Sequence, residues 1–373
     1  MTIVLAAGGT GGHLYPAVAL AREFLRLDPT LRVVFVGTGR GLEAKVLSHE
    51  GFELQTVAAR PVAGSGLLRA LWGLLVLPVG LWQSVRVLRS RRVSLVLGIG
   101  GYASPPVLLA AFFLRIPRAI LEPNAYPGLA NKFLAPVANL IFLAFDAAKG
   151  SFNPSKVKVC GTPVRAGFLE PYTPDAGSMR STQGRALVVF GGSQGAHGIN
   201  NLMIDALPHL QSKREEMSVV HQTGEADLNR VHSAYEANGV RANVVAFLFD
   251  MPRILRSADL VVARAGAMTV AELIACGKAA ILIPLPSAIY QHQESNARAM
   301  EREGAAVVLL QHELTGAKLA QAILALLEDP VRLRQMGERG RALWKTNPAG
   351  CIVQECLGLM NRYARDSKLE ARG

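Results

Sequence analysis

Two stretches half a chain apart repeat one pattern, and no other feature constrains the fold as tightly. "IVLAAGGTGGH" (3–13) and "LVVFGGSQGAH" (187–197) each run from a hydrophobic strand through a Gly-Gly-hydroxyl turn and further small residues to a histidine. A buried strand that ends in glycines and opens a helix is a unit of a parallel α/β sheet. Two such openings predict two similar α/β units in tandem. The intervening sequence agrees. "RVVFVG" (32–37), "SLVLGIGG" (94–101) and "RAILEPN" (118–124) read as further strands running into loops, with helical spacing between them. "PAVALAREFLRL" (16–27) reads as a helix with proline near its first turn, and "GLEAKVLSHEG" as a helix closed by glycine. The polar stretch 172–185 precedes the second unit, which puts the boundary near "CGTPVRAGF" (160–168).

The glycines point to anions. Glycine lets the backbone approach a ligand closely, and the N–H groups of a following helix N-terminus face negative charge. "GGTGGH", "GIGGYASPP" (98–106) and "GGSQGAH" all fall at expected strand ends, where open α/β sheets bind ligands. Neither the dinucleotide fingerprint nor a Walker loop is present. His13 at a helix start is either a cap or a general base beside a phosphate pocket. Thr269 and Glu272 in "ARAGAMTVAEL" have capping-box spacing; the alternative is that Glu272 accepts from a ribose diol. Gln293 and Asn296, after the loop "IPLPSAIY", either meet sugar hydroxyls or start a helix.

The chain of 373 residues is 50% hydrophobic and 18% charged, which suits large cores, and its net charge of +12 favours an anionic partner. Met1 runs straight into "TIVLAA", which predicts no secretory leader, and no apolar run reaches the roughly 20 residues of a spanning helix. Four cysteines without metal spacing (Cys160, Cys276, Cys351, Cys356) read as reduced thiols, with Cys351 and Cys356 packed in a helix. The stretch 67–92 combines Trp72, Trp82 and many leucines with Arg69, Arg86, Arg89, Arg91 and Arg92, which is either a core helix with a basic end or a face for an anionic membrane.

Over nearly its whole length the chain closely resembles the MurG family, bacterial transferases that move N-acetylglucosamine from UDP onto lipid I. The resemblance rests on "GGTGGHLYPA", "GIGGYAS", "EPNAYPGLANK", "GTPVR", "GGSQGA", "RAGAMTVAE" and "HQESNA", in that order. It implies the GT-B fold: two Rossmann-like α/β domains with parallel sheets facing a cleft. These would be an N-terminal acceptor- and membrane-associated domain (1–163, with a C-terminal helix of about 345–373 returning to it) and a UDP-sugar-binding domain (164–344). It implies inverting transfer to the 4-hydroxyl of N-acetylmuramic acid in lipid I, giving lipid II for peptidoglycan, and so a part in cell-wall growth, shape and division. By match of motif, UDP-N-acetylglucosamine would meet Thr10, Gly11, Gly12, Asn124, Arg165, Ser193, Leu248, the run Ala267, Met268, Thr269, Val270, Ala271 and Glu272, and Gln293. The acceptor pyrophosphate would meet Gly9, Gly100, Gly101 and Tyr102, and His13 would be the base. No cofactor or metal is expected, and no Asp-x-Asp pair occurs. The implied place is the cytoplasmic face of the inner membrane, held peripherally on its anionic surface.

The chain departs from the family at one point. Many members read His-Glu-Gln-Asn where this sequence has Leu121-Glu122-Pro123-Asn124, so any role of that histidine is absent. A UDP-N-acetylglucosamine 2-epimerase and a diacylglycerol glycosyltransferase share the scaffold and are the rival enzyme readings. A nucleic-acid module is disfavoured, because the basic residues are not interleaved with aromatics and no such motif appears.

Overall fold

The computed structural model describes residues 1–8, 11–39, 42–60, 67–170, 184–192, 194–286 and 291–370. The chain divides into two compact units, 1–165 with 345–373, and 166–344.

Unit 1 is built on seven strands: β1 (Thr2–Ala7), β2 (Arg32–Gly37), β3 (Glu53–Thr56), β4 (Val93–Gly100), β5 (Arg118–Glu122), β6 (Leu140–Leu143) and β7 (Val157–Val159). They pair in parallel in the order β3-β2-β1-β4-β5-β6-β7. Its helices are α1 (Gly11–Leu27), α2 (Leu42–Glu50), α3 (Leu67–Ser90), α4 (Ser104–Phe113) and α5 (Leu129–Leu134). Strand β1 shows why the sheet must be covered on both sides. Its alternate residues Ile3, Leu5 and Ala7 join one core, and Val4 and Ala6 join another. The last helix, α13 (Pro348–Glu370), belongs to this unit, and Ile352, Val353, Cys356, Leu359 and Met360 are buried in the same core as Ile3 and Phe24.

Unit 2 repeats the pattern with β8 (Arg185–Phe190), β9 (Met217–Gln222), β10 (Ala242–Val245), β11 (Leu260–Ala263), β12 (Ala279–Leu282) and β13 (Ala306–Val308), parallel in the order β10-β9-β8-β11-β12-β13. Helices α6 (His197–Leu210), α7 (Leu228–Ala237), α8 (Met251–Ser257), α9 (Ala267–Cys276), α10 (His292–Arg302), α11 (Gly316–Leu327) and α12 (Pro330–Ala342) complete it.

Two expectations are corrected. Helix α1 begins at Gly11 rather than at Pro16. Pro16 therefore lies inside the helix and costs it the bond to the Gly12 carbonyl, which leaves His13 in the first turn rather than before it. The cysteines are not all thiols: Cys160 is joined to Cys351, tying the segment after β7 to the start of α13. Cys276 and Cys356 are free, with Cys356 buried as read from the sequence. Among the described residues no helix is long and apolar enough to cross a membrane.

Candidate functional site

Each sheet reverses its strand order once, between β1 and β4 in unit 1 and between β8 and β11 in unit 2. Loops leaving the carboxyl ends of strands at such a point flank the crevice where open α/β sheets take ligands. In unit 1 those loops touch. Gly101 has φ +77°, and a side chain there would collide with the Gly8 carbonyl oxygen, so the two loops meet backbone to backbone. The half-buried His13 imidazole lies against Gly100, where an added Cβ would sit 2.8 Å from ring Cδ2 and 2.9 Å from Nε2. Ser104, at the start of α4, ties the arrangement down. Its hydroxyl donates to the Gly100 carbonyl at 2.7 Å, lies 3.0 Å from the Ala6 carbonyl, and accepts from the Gly100 N–H at 3.2 Å. His13, Gly100 and Gly101 are thus brought together. Tyr102 follows them, exposed, and Gly11 and Gly12 open α1, whose first N–H groups lack helical partners. Gly9 and Thr10 lie outside the described residues.

Two buried carboxylates shape the neighbouring loops. Glu43 accepts from the N–H groups of Thr38 and Gly39 and from the Thr38 hydroxyl, at 2.8, 2.9 and 3.0 Å. Glu122, at the end of β5 and 1% exposed, holds the segment that carries Asn124. Its Oε1 accepts from the Asn124 backbone N–H and side-chain amide (3.0 and 2.9 Å), and its Oε2 from the Gly128 N–H and the Asn131 amide (2.9 Å each). The Arg165 guanidinium stacks over the Tyr15 ring at 4.7 Å. The motif readings gave Glu43 and Ser104 no role. The only signal for them was a polar side chain two or three residues after a glycine turn.

In unit 2 the loop after β8 packs on the loop after β9. Gly195 has φ +78°, and a side chain there would strike the Thr223 carbonyl. Ser193 lies outside the described residues. A hydrogen-bonded chain fixes the loop from behind. The Tyr235 hydroxyl donates to His221 Nδ1 (3.2 Å), and His221 Nε2–H donates to Asn200 Oδ1 (3.1 Å), a tautomer assigned from these partners. Asn200 Nδ2 donates to the Thr223 carbonyl (2.9 Å) and to Asp227 (2.8 Å), and Asp227 also accepts from His197 Nδ1 (2.9 Å) and from Arg230 (2.8 Å). Burial pushes His221 down to about 3, against the opposing pull of the Asp227 charge, so this ring is neutral. Burial acts to raise Asp227, but the bonds from Arg230, Asn200 and His197 outweigh it and hold the carboxyl at about 2.

The capping box expected at Thr269 and Glu272 does not form. Helix α9 starts at Ala267 with Gly266 in the cap position and no side-chain cap, which puts Thr269 already third in the helix. Gly266 takes the extended cap conformation with no side chain of its own to satisfy, so Glu272 has no capping part. Met268, Val270 and Ala271 are buried, which leaves backbone as what they offer at the helix start, while Glu272 is 6% exposed on the second turn. Arg264, just before this turn, is an unforeseen brace. It donates to the carbonyls of Ile283 and Pro284 (3.0 and 3.1 Å) and to Gln311 (2.6 Å), and burial lowers it to about 10. Gln293 Oε1 accepts from the Leu285 N–H at 3.0 Å, Asn296 donates to the Ala265 carbonyl at 3.1 Å, and Leu248 is buried while its chain neighbours Phe247 and Phe249 are exposed and pack edge to face at 5.0 Å. Among the described residues no group of three or more His, Cys, Asp or Glu is placed to hold a metal ion.

Residues 3–143 match the N-terminal domain of glycosyltransferase family 28, and residues 186–347 match its C-terminal domain. The chain belongs to glycosyltransferase family 28. Within the family it groups with the MurG transferases. A Geobacter metallireducens relative named "UDP-N-acetylglucosamine--N-acetylmuramyl-(pentapeptide) pyrophosphoryl-undecaprenol N-acetylglucosamine transferase" is 44% identical over 357 residues, 96% of this chain and 98% of that protein. The crystal structure of Acinetobacter baumannii MurG superposes with a TM-score of 0.76 at 27% identity, covering 96% of this chain and 99% of that one. A Listeria monocytogenes structure titled a putative UDP-N-acetylglucosamine 2-epimerase reaches 0.70 at 13% identity over 95% and 94% of the two chains, and shares the fold alone. The family-28 architecture is GT-B, and its two parallel sheets are the two described above.

Proposed function

We propose that this family-28 enzyme transfers N-acetylglucosamine from UDP to the 4-hydroxyl of the N-acetylmuramyl residue of lipid I, with inversion, giving lipid II. The observation that carries the reading is the near-full-length match to relatives named for this transfer. In the mechanism, His13 takes the acceptor hydroxyl proton as the oxygen attacks the anomeric carbon. The bond from that carbon to the β-phosphate oxygen breaks on the opposite face, and its electron pair leaves with UDP. Negative charge grows on the diphosphate, and N–H groups at helix starts stabilise it without reorganising. Ser193 holds the diphosphate, the run Ala267 to Glu272 lines the nucleotide with Glu272 on the ribose, Leu248 meets the uracil, and Gln293 the sugar. Thr10, Gly11, Gly12, Asn124 and Arg165 complete the donor contacts, while Gly9, Gly100, Gly101 and Tyr102 receive the acceptor pyrophosphate.

The same reading places the enzyme peripherally on an anionic membrane at the cytoplasmic face. Leu75, Val79 and Trp82 are exposed on α3, and Arg86 and Arg89 continue the stripe at helical spacing, with Arg86 over the Trp82 ring at 6.0 Å.

The test is transfer of radiolabelled N-acetylglucosamine from its UDP donor to a short-chain lipid I analogue in detergent, beside a control without acceptor. Label in the lipid product, with inverted stereochemistry at the new bond, is the expected result. Epimerised or free sugar with no labelled lipid would overturn the reading.

A further inference from the structure

Unit 2 has a second concavity, remote from the glycine loops. It is a cleft of about 450 Å³ at the amino ends of the strands, where Arg185 begins β8, Asp259 precedes β11 and Lys278 precedes β12. One face of α12 closes it with Arg334, Glu338 and Arg341. That volume lies within the range of small-molecule sites, roughly 300–1,000 Å³. The loops assigned to the donor leave the opposite, carboxyl ends of the same strands. Helix α9 spans the distance, from Ala267 at the donor end to Cys276 on the cleft wall, about 15 Å at 1.5 Å per residue.

The lining is unbalanced in charge. Four cations face two carboxylates, and one of the two, Asp259, is turned to the Ala186 N–H at 2.8 Å. Lys278, the fourth cation, donates to the carbonyls of Arg256 and Ala258 (2.6 and 2.8 Å). Arg185, Arg334 and Arg341 are exposed, and their guanidinium groups make no hydrogen bond or ion pair among the described residues. Three guanidinium groups held around one concavity repel one another, and a cleft with low-dielectric walls concentrates that field. A guanidinium presents a planar fork of donors matched to phosphate oxygens. A single carboxylate cannot engage three such forks, but a chain of phosphates can.

We propose that this cleft is a binding site for a condensed phosphate anion, distinct from the donor site. The chemistry recognised is phosphate groups linked through shared oxygens, as in an inorganic polyphosphate. Anion binding here bridges α12 and the amino ends of β8 and β12, and so braces the end of α9 opposite its donor-facing turn. The proposal does not rest on the assignment of the donor.

The test is calorimetric titration of the whole chain with inorganic tripolyphosphate, with and without saturating UDP, together with sedimentation on phosphatidylglycerol and phosphatidylcholine vesicles. In the wild type, tripolyphosphate binding persists under saturating UDP. Arg334→Ala/Arg341→Ala weakens it about tenfold for each arginine removed, while Arg332→Ala, exposed on the same helix outside the cleft, leaves it unchanged. A double variant that loses only phosphatidylglycerol binding and keeps its tripolyphosphate affinity would show a lipid-facing charge patch instead, and would overturn the proposal. Equal affinities of wild type and double variant for both ligands, or equal losses in the Arg332→Ala control, would overturn the proposal. A chain that ignored UDP would still show the arginine-dependent binding, which separates this outcome from failure of the donor reading.

Discussion

Glu122→Gln tests whether a buried carboxylate holds the Asn124 loop in shape. Glu122 has four N–H donors on two oxygens, two donors to each, in an environment that excludes water. Glutamine keeps the volume but offers a single acceptor oxygen, so whichever way its amide turns, two donors face an NH2 group. Each buried donor left without an acceptor costs about 1–3 kcal/mol, so the pair costs about 3 kcal/mol. A unit of this size loses about 2–4 °C of melting temperature per kcal/mol, which gives a fall of about 6–12 °C for unit 1. Scanning calorimetry reads the fall, and hydrogen exchange at the Asn124 and Gly128 amides shows whether the loss is local. Because Asn124 is a proposed donor contact, KM for UDP-N-acetylglucosamine rises as well. A fall below about 2 °C with unchanged exchange at those two amides would show that the loop is shaped by something other than this carboxylate.

Four further outcomes follow from the site and the surface. His13→Ala lowers kcat by about 10²–10⁴ and leaves UDP affinity intact in a binding titration; near-normal kcat would remove it as the base. The neutral His221 makes unit 2 less stable in acid. The unfolded chain takes up a proton near pH 6.5 and the folded one only near 3, so stability falls through that window by up to about 1.4 kcal/mol per pH unit. Asp227, held at about 2, contributes stability that is full above about pH 4 and lost as pH falls through 2; a urea-unfolding series flat from pH 6.5 to 4 would contradict the His221 assignment. Thiol titration of the denatured, unreduced chain gives two groups, Cys276 and Cys356, and four after reduction. Binding to phosphatidylglycerol vesicles weakens with added salt and with Trp82→Ala, measured by flotation, and equal binding to neutral vesicles would exclude the electrostatic part.

What was legible in the sequence was whatever local physics decides. The strands at Thr2–Ala7 and Arg32–Gly37 and the glycine-closed α2 were visible because hydrophobic runs and glycine breaks fix them within a few residues. The glycine loops announced the crevice because only bare backbone allows Gly101 to lie on Gly8. What was not legible depends on partners distant in sequence. Cys160 and Cys351 are 191 residues apart, and nothing near either reveals the other. The helical spacing after Pro16 hid the five residues of α1 before it. At α9 a local rule misled, because Thr-x-x-Glu spacing is satisfied equally well by two residues already inside a helix capped by Gly266. The chain from Tyr235 to Asp227 joins α6, β9 and α7, and only the sheet order places those residues side by side.

The return of α13 to unit 1 sets an order of events on the ribosome. Unit 2 is one uninterrupted segment and can close as soon as residues 166–344 have emerged. Unit 1 emerges first but cannot finish, because five of its core side chains arrive with the last helix. At about 1.5–3 kcal/mol for each large apolar side chain, their absence leaves the α1 side of the sheet uncovered by an amount comparable to a domain's whole stability. The first-made half of this enzyme is therefore the last to become native, and a stop codon between Lys345 and Ile352 removes the fold of the amino-terminal unit rather than that of its carboxyl-terminal neighbour.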